Sequence, residues 1–195
     1  VVLWGMGSMG SGMGKYLVDK KGIEIVGAIA HRESKAGKDV SEFFGLDKEV
    51  GVKVTNDPMS VITEDVDIVL QATSSFVKDV YPQIEQIVKK KVNVISIAEE
   101  MAYPSVQEKE LSEKIDKLAK EYGVSVLGTG INPGFVLDLM IIALSGACAK
   151  VDKIEAARIN DLSPFGPTVM RTQGVGTTVE EFEKGVKDGS IVGHI

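Results

Sequence analysis

The hexapeptide Gly5-Met6-Gly7-Ser8-Met9-Gly10 directly follows the apolar run Val1-Val2-Leu3-Trp4, and no other feature restricts the fold so strongly. A strand that stops in G-x-G-x-x-G and passes into a helix is the opening of a βαβ unit that binds a dinucleotide. Gly5 permits the tight turn, Gly7 lets the main chain approach a pyrophosphate, and Gly10 lets helix and strand pack closely. Ser8 and Met9 fall in the first helical turn, whose unpaired N–H groups and partial positive charge suit phosphate. In a chain with 21 glycines the motif carries little weight alone. Its weight comes from standing after the first strand of a series.

That series is legible in the remaining pattern. Strands are expected at Val1–Trp4, Glu24–Ala30, Val52–Thr55, Val66–Ala72, Val92–Ile97 and Val124–Leu127, separated by helical periodicity. Short β-rich runs alternating with helices imply an α/β fold with a Rossmann-type, doubly wound parallel sheet. Val77, Val80, Ile84, Ile87 and Val88 form one helical stripe, ending in Lys89-Lys90-Lys91, where cations suit the helix dipole. Leu111, Ile115, Leu118 and Tyr122 form another, with a capping box expected from Ser105 and Glu108 and a stop at Gly123. An apolar helix is expected from Phe135 to about Ala149, then a strand at Lys153–Ile159, a loop over Asn160–Gly176, and a last helix capped by Thr178 and Glu181 that stops at Gly189. The expected division is a dinucleotide-binding domain over 1–150 and the start of a second, α+β, substrate and dimerisation domain over 151–195. Residues are expected to precede Val1, and the apolar ending suggests that more sequence follows Ile195.

The formal net charge of −6 attracts neither a phosphate backbone nor an anionic membrane, so nucleic acid and membrane are not expected partners. The apolar run Phe135–Ala149 is broken by Asp138 and too short to span a bilayer. One cysteine, Cys148, forms no intrachain disulfide and fits a cytoplasmic location. Two isolated histidines and that cysteine make no metal-ligand cluster, so no metal is expected.

Ligands of an open parallel sheet lie outside the carboxyl ends of its strands. The second strand ends Ala30-His31-Arg32-Glu33, without an acid at its tip. Arg32, with His31 and Lys35 nearby, suits the 2′-phosphate of NADP, while Glu33 turned inward would suit the ribose hydroxyl of NAD. Ala72-Thr73-Ser74 follows the fourth strand and Ala98-Glu99-Glu100 the fifth, while Asn132-Pro133 lies in the loop after the sixth. All are candidates to line one crevice. Beside a nicotinamide, a carboxylate stabilises the cationic iminium left when hydride departs from a C–NH2 carbon, and it can take up the amine's protons. Neighbouring loop residues do not both point the same way, so at most one of Glu99 and Glu100 is expected to face substrate, the other being solvated or capping a helix.

Together, Val2-Leu3-Trp4-Gly5-Met6-Gly7-Ser8-Met9-Gly10, Ala30-His31-Arg32, the segment Ser96-Ile97-Ala98-Glu99-Glu100-Met101-Ala102-Tyr103-Pro104 and Gly130-Ile131-Asn132-Pro133-Gly134 resemble the 2,4-diaminopentanoate dehydrogenase family. That family stands with the native amine dehydrogenases in the dihydrodipicolinate reductase superfamily. The resemblance implies reversible NADP- or NAD-dependent oxidative deamination of 2,4-diaminopentanoate to 2-amino-4-oxopentanoate and ammonia. It further implies a catalytic glutamate at Glu99 first and Glu100 second, and a homodimer. The likeness to dihydrodipicolinate reductase itself is weaker. Ala157-Arg158-Ile159-Asn160-Asp161 stands where that enzyme has a His-rich stretch and a catalytic Lys, and only Gly176-Thr177 is similar to the end of that stretch. Asn160 and Asp161 are instead candidates to contact a diamine's second ammonium. Another imine or semialdehyde oxidoreductase of the superfamily is the main alternative. A dinucleotide sensor is a lesser one, because the acidic chain carries no basic recognition helix.

Overall fold

The computed structural model describes residues 1–159, 161–162 and 167–192, the side chains of Pro167 and Thr168 excepted. It divides into two compact units, Val1–Asp138 and Leu139–Ile195. The division falls inside the apolar run that the sequence suggests as one helix closing a domain over 1–150.

The first unit is built on six strands: β1 (Val2–Trp4), β2 (Gly27–Ile29), β3 (Val54–Thr55), β4 (Ile68–Gln71), β5 (Asn93–Ser96) and β6 (Val126–Gly128). They form one sheet in the order β3-β2-β1-β4-β5-β6, and every paired neighbour is parallel. This is the doubly wound order, with its reversal at β1. Val2 pairs with Gly27 on one side and Val69 on the other. Each ladder is shorter than its apolar pattern. Ile25, Ala30 and Val66 are buried but lie outside the paired residues, so they fill the core without extending a strand.

The helices are α1 (Ser8–Leu17), α2 (Ser41–Phe44), α3 (Val77–Lys89), α4 (Pro104–Gln107) and α5 (Lys109–Tyr122). Parallel strands bury both faces, and two clusters record this. Val2, Trp4, Ile29 and Val69 pack with Val77, Val80, Ile84 and Ile115 from α3 and α5. Leu3, Ala28 and Val54 pack with Val40 and Phe44 on the opposite face. The α3 stripe is buried throughout. The expected capping box of Ser105 and Glu108 does not form. Pro104, whose fixed φ suits a first helical turn, opens α4 one turn early, and Glu108 becomes the N-cap of α5 without a side-chain capping bond. Gly123 ends α5 in the left-handed conformation, φ 69°.

The second unit contains α6 (Met140–Ser145), α7 (Pro167–Thr172) and α8 (Val179–Asp188). Helical geometry in the apolar run begins only after Asn132, Pro133 and Gly134, whose backbones are non-helical, and it stops at Ser145 rather than near Ala149. Cys148 is exposed. No strand forms at Lys153–Ile159, which is exposed: alternation alone does not hold a strand without a pairing partner, and none pairs with it among the described residues. The expected loop over Asn160–Gly176 contains α7, begun by Pro167. α8 begins with the expected capping box, Thr178 Oγ1 accepting from Glu181 N and Thr178 N donating to the Glu181 carboxylate at 2.8 Å. Ile191 is buried against Gly185 of α8, where a Cβ would fall 2.6 Å from its Cδ1.

Candidate functional site

A cleft of about 830 Å³ opens where β1, β2, β3 and β4 end, lined by residues from the turn after each. At its floor Gly5 takes φ +114°, and its N–H donates to Ile29 O at 2.9 Å. A Cβ on Gly5 would lie 2.2 Å from Ala72 O, and one on Gly10 would lie 1.7 Å from Gly5 O. Nothing stands within 4 Å of the corresponding point on Gly7. The two outer glycines are therefore required by close packing, while the middle one leaves open space over the main chain. Gly7 is the N-cap of α1, Ser8 and Met9 begin the helix, and its first turn carries no acidic residue. A helix N-terminus without an acid in its first turn, and open space over Gly7, fit a pyrophosphate.

Of the candidate cofactor residues, Gly5, Met6, Gly7, His31, Arg32, Ala72, Thr73 and Ser74 all line this cleft. Gly10 serves packing beneath it. Ala98 is buried and is the N-cap of the turn Glu99–Ala102. Asn132 and Pro133 are half-buried and lie in the segment after β6. Neither they nor Ala98 are among the cleft-lining residues.

The cleft also includes Lys35, read from the sequence only as a neighbour of Arg32, and several residues that the sequence reading did not name. Lys35 lines it, donating from Nζ to Met6 O and lying 5.2 Å from the centre of the Phe43 ring. Its ammonium thus ties the turn after β2 to the glycine turn. Asn56 and Pro58 line it too. They follow β3, so the rule that found the other loops also reaches them. Asp79 and Gln83 come from α3, where no local pattern marks them. Thr73 Oγ1 donates to Gln83 Oε1 at 2.7 Å and Ser74 Oγ to Asp79 Oδ2 at 2.6 Å, which braces the wall after β4 against α3.

The acidic pair lies in the turn after β5, and its members are engaged differently. Glu100 N donates to Ser75 O at 3.1 Å, and Glu100 Oε2 accepts from Val77 N at 2.8 Å. Glu99, half-buried, opens the turn. Gly128 lets β6 approach that turn closely, since a Cβ there would fall 1.8 Å from Met101 O. Nearby, a hydrogen bond and the charge of Glu108 raise the pKa of Lys78, with a smaller contribution from the charge of Glu100. Asp161 is exposed, and Asn160 lies outside the described residues.

Residues 1–126 match the family described as dihydrodipicolinate reductase, N-terminus. The chain belongs to that family. Its members' dinucleotide-binding fold is the one described above, and a nicotinamide dinucleotide fits the glycine cradle. Residues 135–195 match the 2,4-diaminopentanoate dehydrogenase C-terminal domain. A 2,4-diaminopentanoate dehydrogenase from Acetoanaerobium sticklandii is 50% identical, the match covering 100% of this chain and 56% of that protein. An amine dehydrogenase from Streptomyces virginiae is 26% identical over 84% of this chain and 46% of that protein. The structure of an amine dehydrogenase from Mycobacterium smegmatis superposes with a TM-score of 0.79 at 34% identity, covering 95% of this chain and 55% of that one. The chain thus spans about half the length of the curated relatives it matches. Among the described residues, no helix is long and apolar enough to cross a membrane.

Proposed function

We propose that the protein carrying this chain is an NAD(P)-dependent amine dehydrogenase. It converts 2,4-diaminopentanoate, with water, to 2-amino-4-oxopentanoate and ammonium. The observation that carries this reading is the 50% identity to a 2,4-diaminopentanoate dehydrogenase across the whole of this chain. The nicotinamide, when bound, supplies the hydride acceptor.

The chain's own residues have separable tasks. Gly5, Met6, Gly7, Ser8, Met9 and Gly10 hold the pyrophosphate on main-chain amides. His31 and Arg32 hold the adenosine end. Cations reach the cleft there, and Glu33 is not among its lining residues, which favours NADP over NAD. Ala72, Thr73 and Ser74 form the wall after β4, while Ala98, Asn132 and Pro133 border the dinucleotide from the turns after β5 and β6. Glu99 holds negative charge beside the carbon that loses hydride, takes up the amine's protons and helps water attack. Asn160 and Asp161 meet the second ammonium of the diamine. The protein is read as cytoplasmic and, from the family resemblance, as a homodimer.

A panel of amines with each cofactor, followed at the absorbance of the reduced nicotinamide, tests the reading. Turnover of 2,4-diaminopentanoate, faster with NADP than with NAD, is expected. Turnover of another imine or semialdehyde with an inert diamine would reassign the substrate.

A further inference from the structure

The geometry points to a separate task for one member of the acidic pair: Glu100 is a positioning residue that caps α3 from another loop and so fixes the turn that carries Glu99. This rests on the reading of Glu99 given above.

The need for such a cap arises in α3 itself. Its N-cap is Phe76, which makes no side-chain capping bond, because a phenyl ring has no acceptor. Helix N-termini present N–H groups that require partners, and Val77, the first residue of α3, is fully buried. Asp79, the acid in the first turn, accepts from Ser74 Oγ. The Val77 N–H is instead taken by Glu100 Oε2 at 2.8 Å, from 23 residues away. A carboxylate at this end of a helix also meets the favourable end of the dipole.

The bond is reciprocated, since Glu100 N donates to Ser75 O. The pair reproduces the logic of a capping box, but splits it between two loops. One loop carries Thr73 and Ser74 of the cleft wall, and the other carries Glu99. On its far flank the Glu99–Ala102 turn is packed through buried Met101 and lies close against β6 at Gly128, where a Cβ would not fit. Glu100 therefore sets the register between the cofactor wall and the catalytic turn. Its carboxylate is directed at α3.

Three variants of the protein carrying this chain test this: Glu99→Gln, Glu100→Gln and Glu100→Ala. Each is assayed for kcat and KM with 2,4-diaminopentanoate and NADP, and for NADPH affinity by fluorescence of Trp4, which lines the cleft. Glu100→Gln keeps an acceptor for Val77 N–H at roughly half the strength of the charge-assisted bond, so kcat should stay within about tenfold of the parent. Glu100→Ala should lose on the order of a hundredfold in kcat, the scale of a 1 Å misplacement, and should also weaken NADPH binding. Glu99→Gln should lose about 10²–10⁴ in kcat with NADPH affinity unchanged. Rescue by Gln but not by Ala at position 100 supports positioning. A Glu100→Gln enzyme as inactive as Glu99→Gln, with parental NADPH affinity, overturns it, as does a fully active Glu100→Ala. If Glu100→Ala does not fold, Glu100→Gln alone decides. An active Glu99→Gln removes the catalytic reading of Glu99 and leaves the Gln–Ala contrast at position 100 to be judged separately.

Discussion

The two compact units hold themselves together by different means. In the first, a parallel sheet is covered on both faces, and α3 buries Val77, Val80, Ile84, Ile87 and Val88 completely. In the second, α6 is almost wholly apolar in sequence, more so than amphipathic α3, yet Ile142 and Leu144 are 68% and 70% exposed. Among the described residues of the second unit, the capping box of α8 and the seating of Ile191 on Gly185 are local contacts. Apolar composition alone does not make a core, because stabilisation follows the area removed from water.

The sharpest way to break this comparison is to truncate one residue in each unit. Ile84→Ala is expected to destabilise the first unit by about 2–5 kcal/mol, whereas Leu144→Ala should change stability by less than about 0.5 kcal/mol. Denaturant unfolding measures both, and a Leu144 cost equal to that of Ile84 would show α6 to be covered in solution.

A smaller effect probes how the first unit uses buried charge. Burial pushes the Asp39 carboxyl upward, but the Ser41 hydroxyl and the Ser41, Val50 and Gly51 amides outweigh it and lower the pKa from 3.8 to about 2. Because the folded value is depressed, this stabilisation is present above about pH 4 and is lost as pH falls toward 2. Asp39→Asn should cost roughly 1–3 kcal/mol at neutral pH and flatten the loss of stability across that acid window, as followed by unfolding at stepped pH. The smallest effect belongs to the second unit. Thr178→Ala should cost about 1 kcal/mol, read as faster amide exchange at Glu181, whose N–H loses its acceptor.

Features carried by neighbouring residues were legible in the sequence. The glycine turn, the α3 stripe, the stop at Gly123 and the cap at Thr178 each depend on groups within a few residues of one another. The same local reasoning failed where the decision lay elsewhere. Ser105 and Glu108 have the spacing of a capping box, but Pro104 starts the helix sooner. Lys153–Ile159 alternates like a strand but finds no partner among the described residues. In the cleft, Asp79 and Gln83 left no signal because they enter from the solvent-facing side of a helix whose periodicity reports only its buried side.

By itself the sequence determined the order of the six strands of the first unit and the chemistry of the first turn, because spacing of glycines and apolar residues acts through short stretches of backbone. Only the tertiary structure decided where the Glu100 carboxylate goes. Glu99 and Glu100 are alike in type and adjacent in sequence. Their difference arises when the sheet brings the turn after β5 against the start of α3, and one carboxylate meets the N–H of Val77.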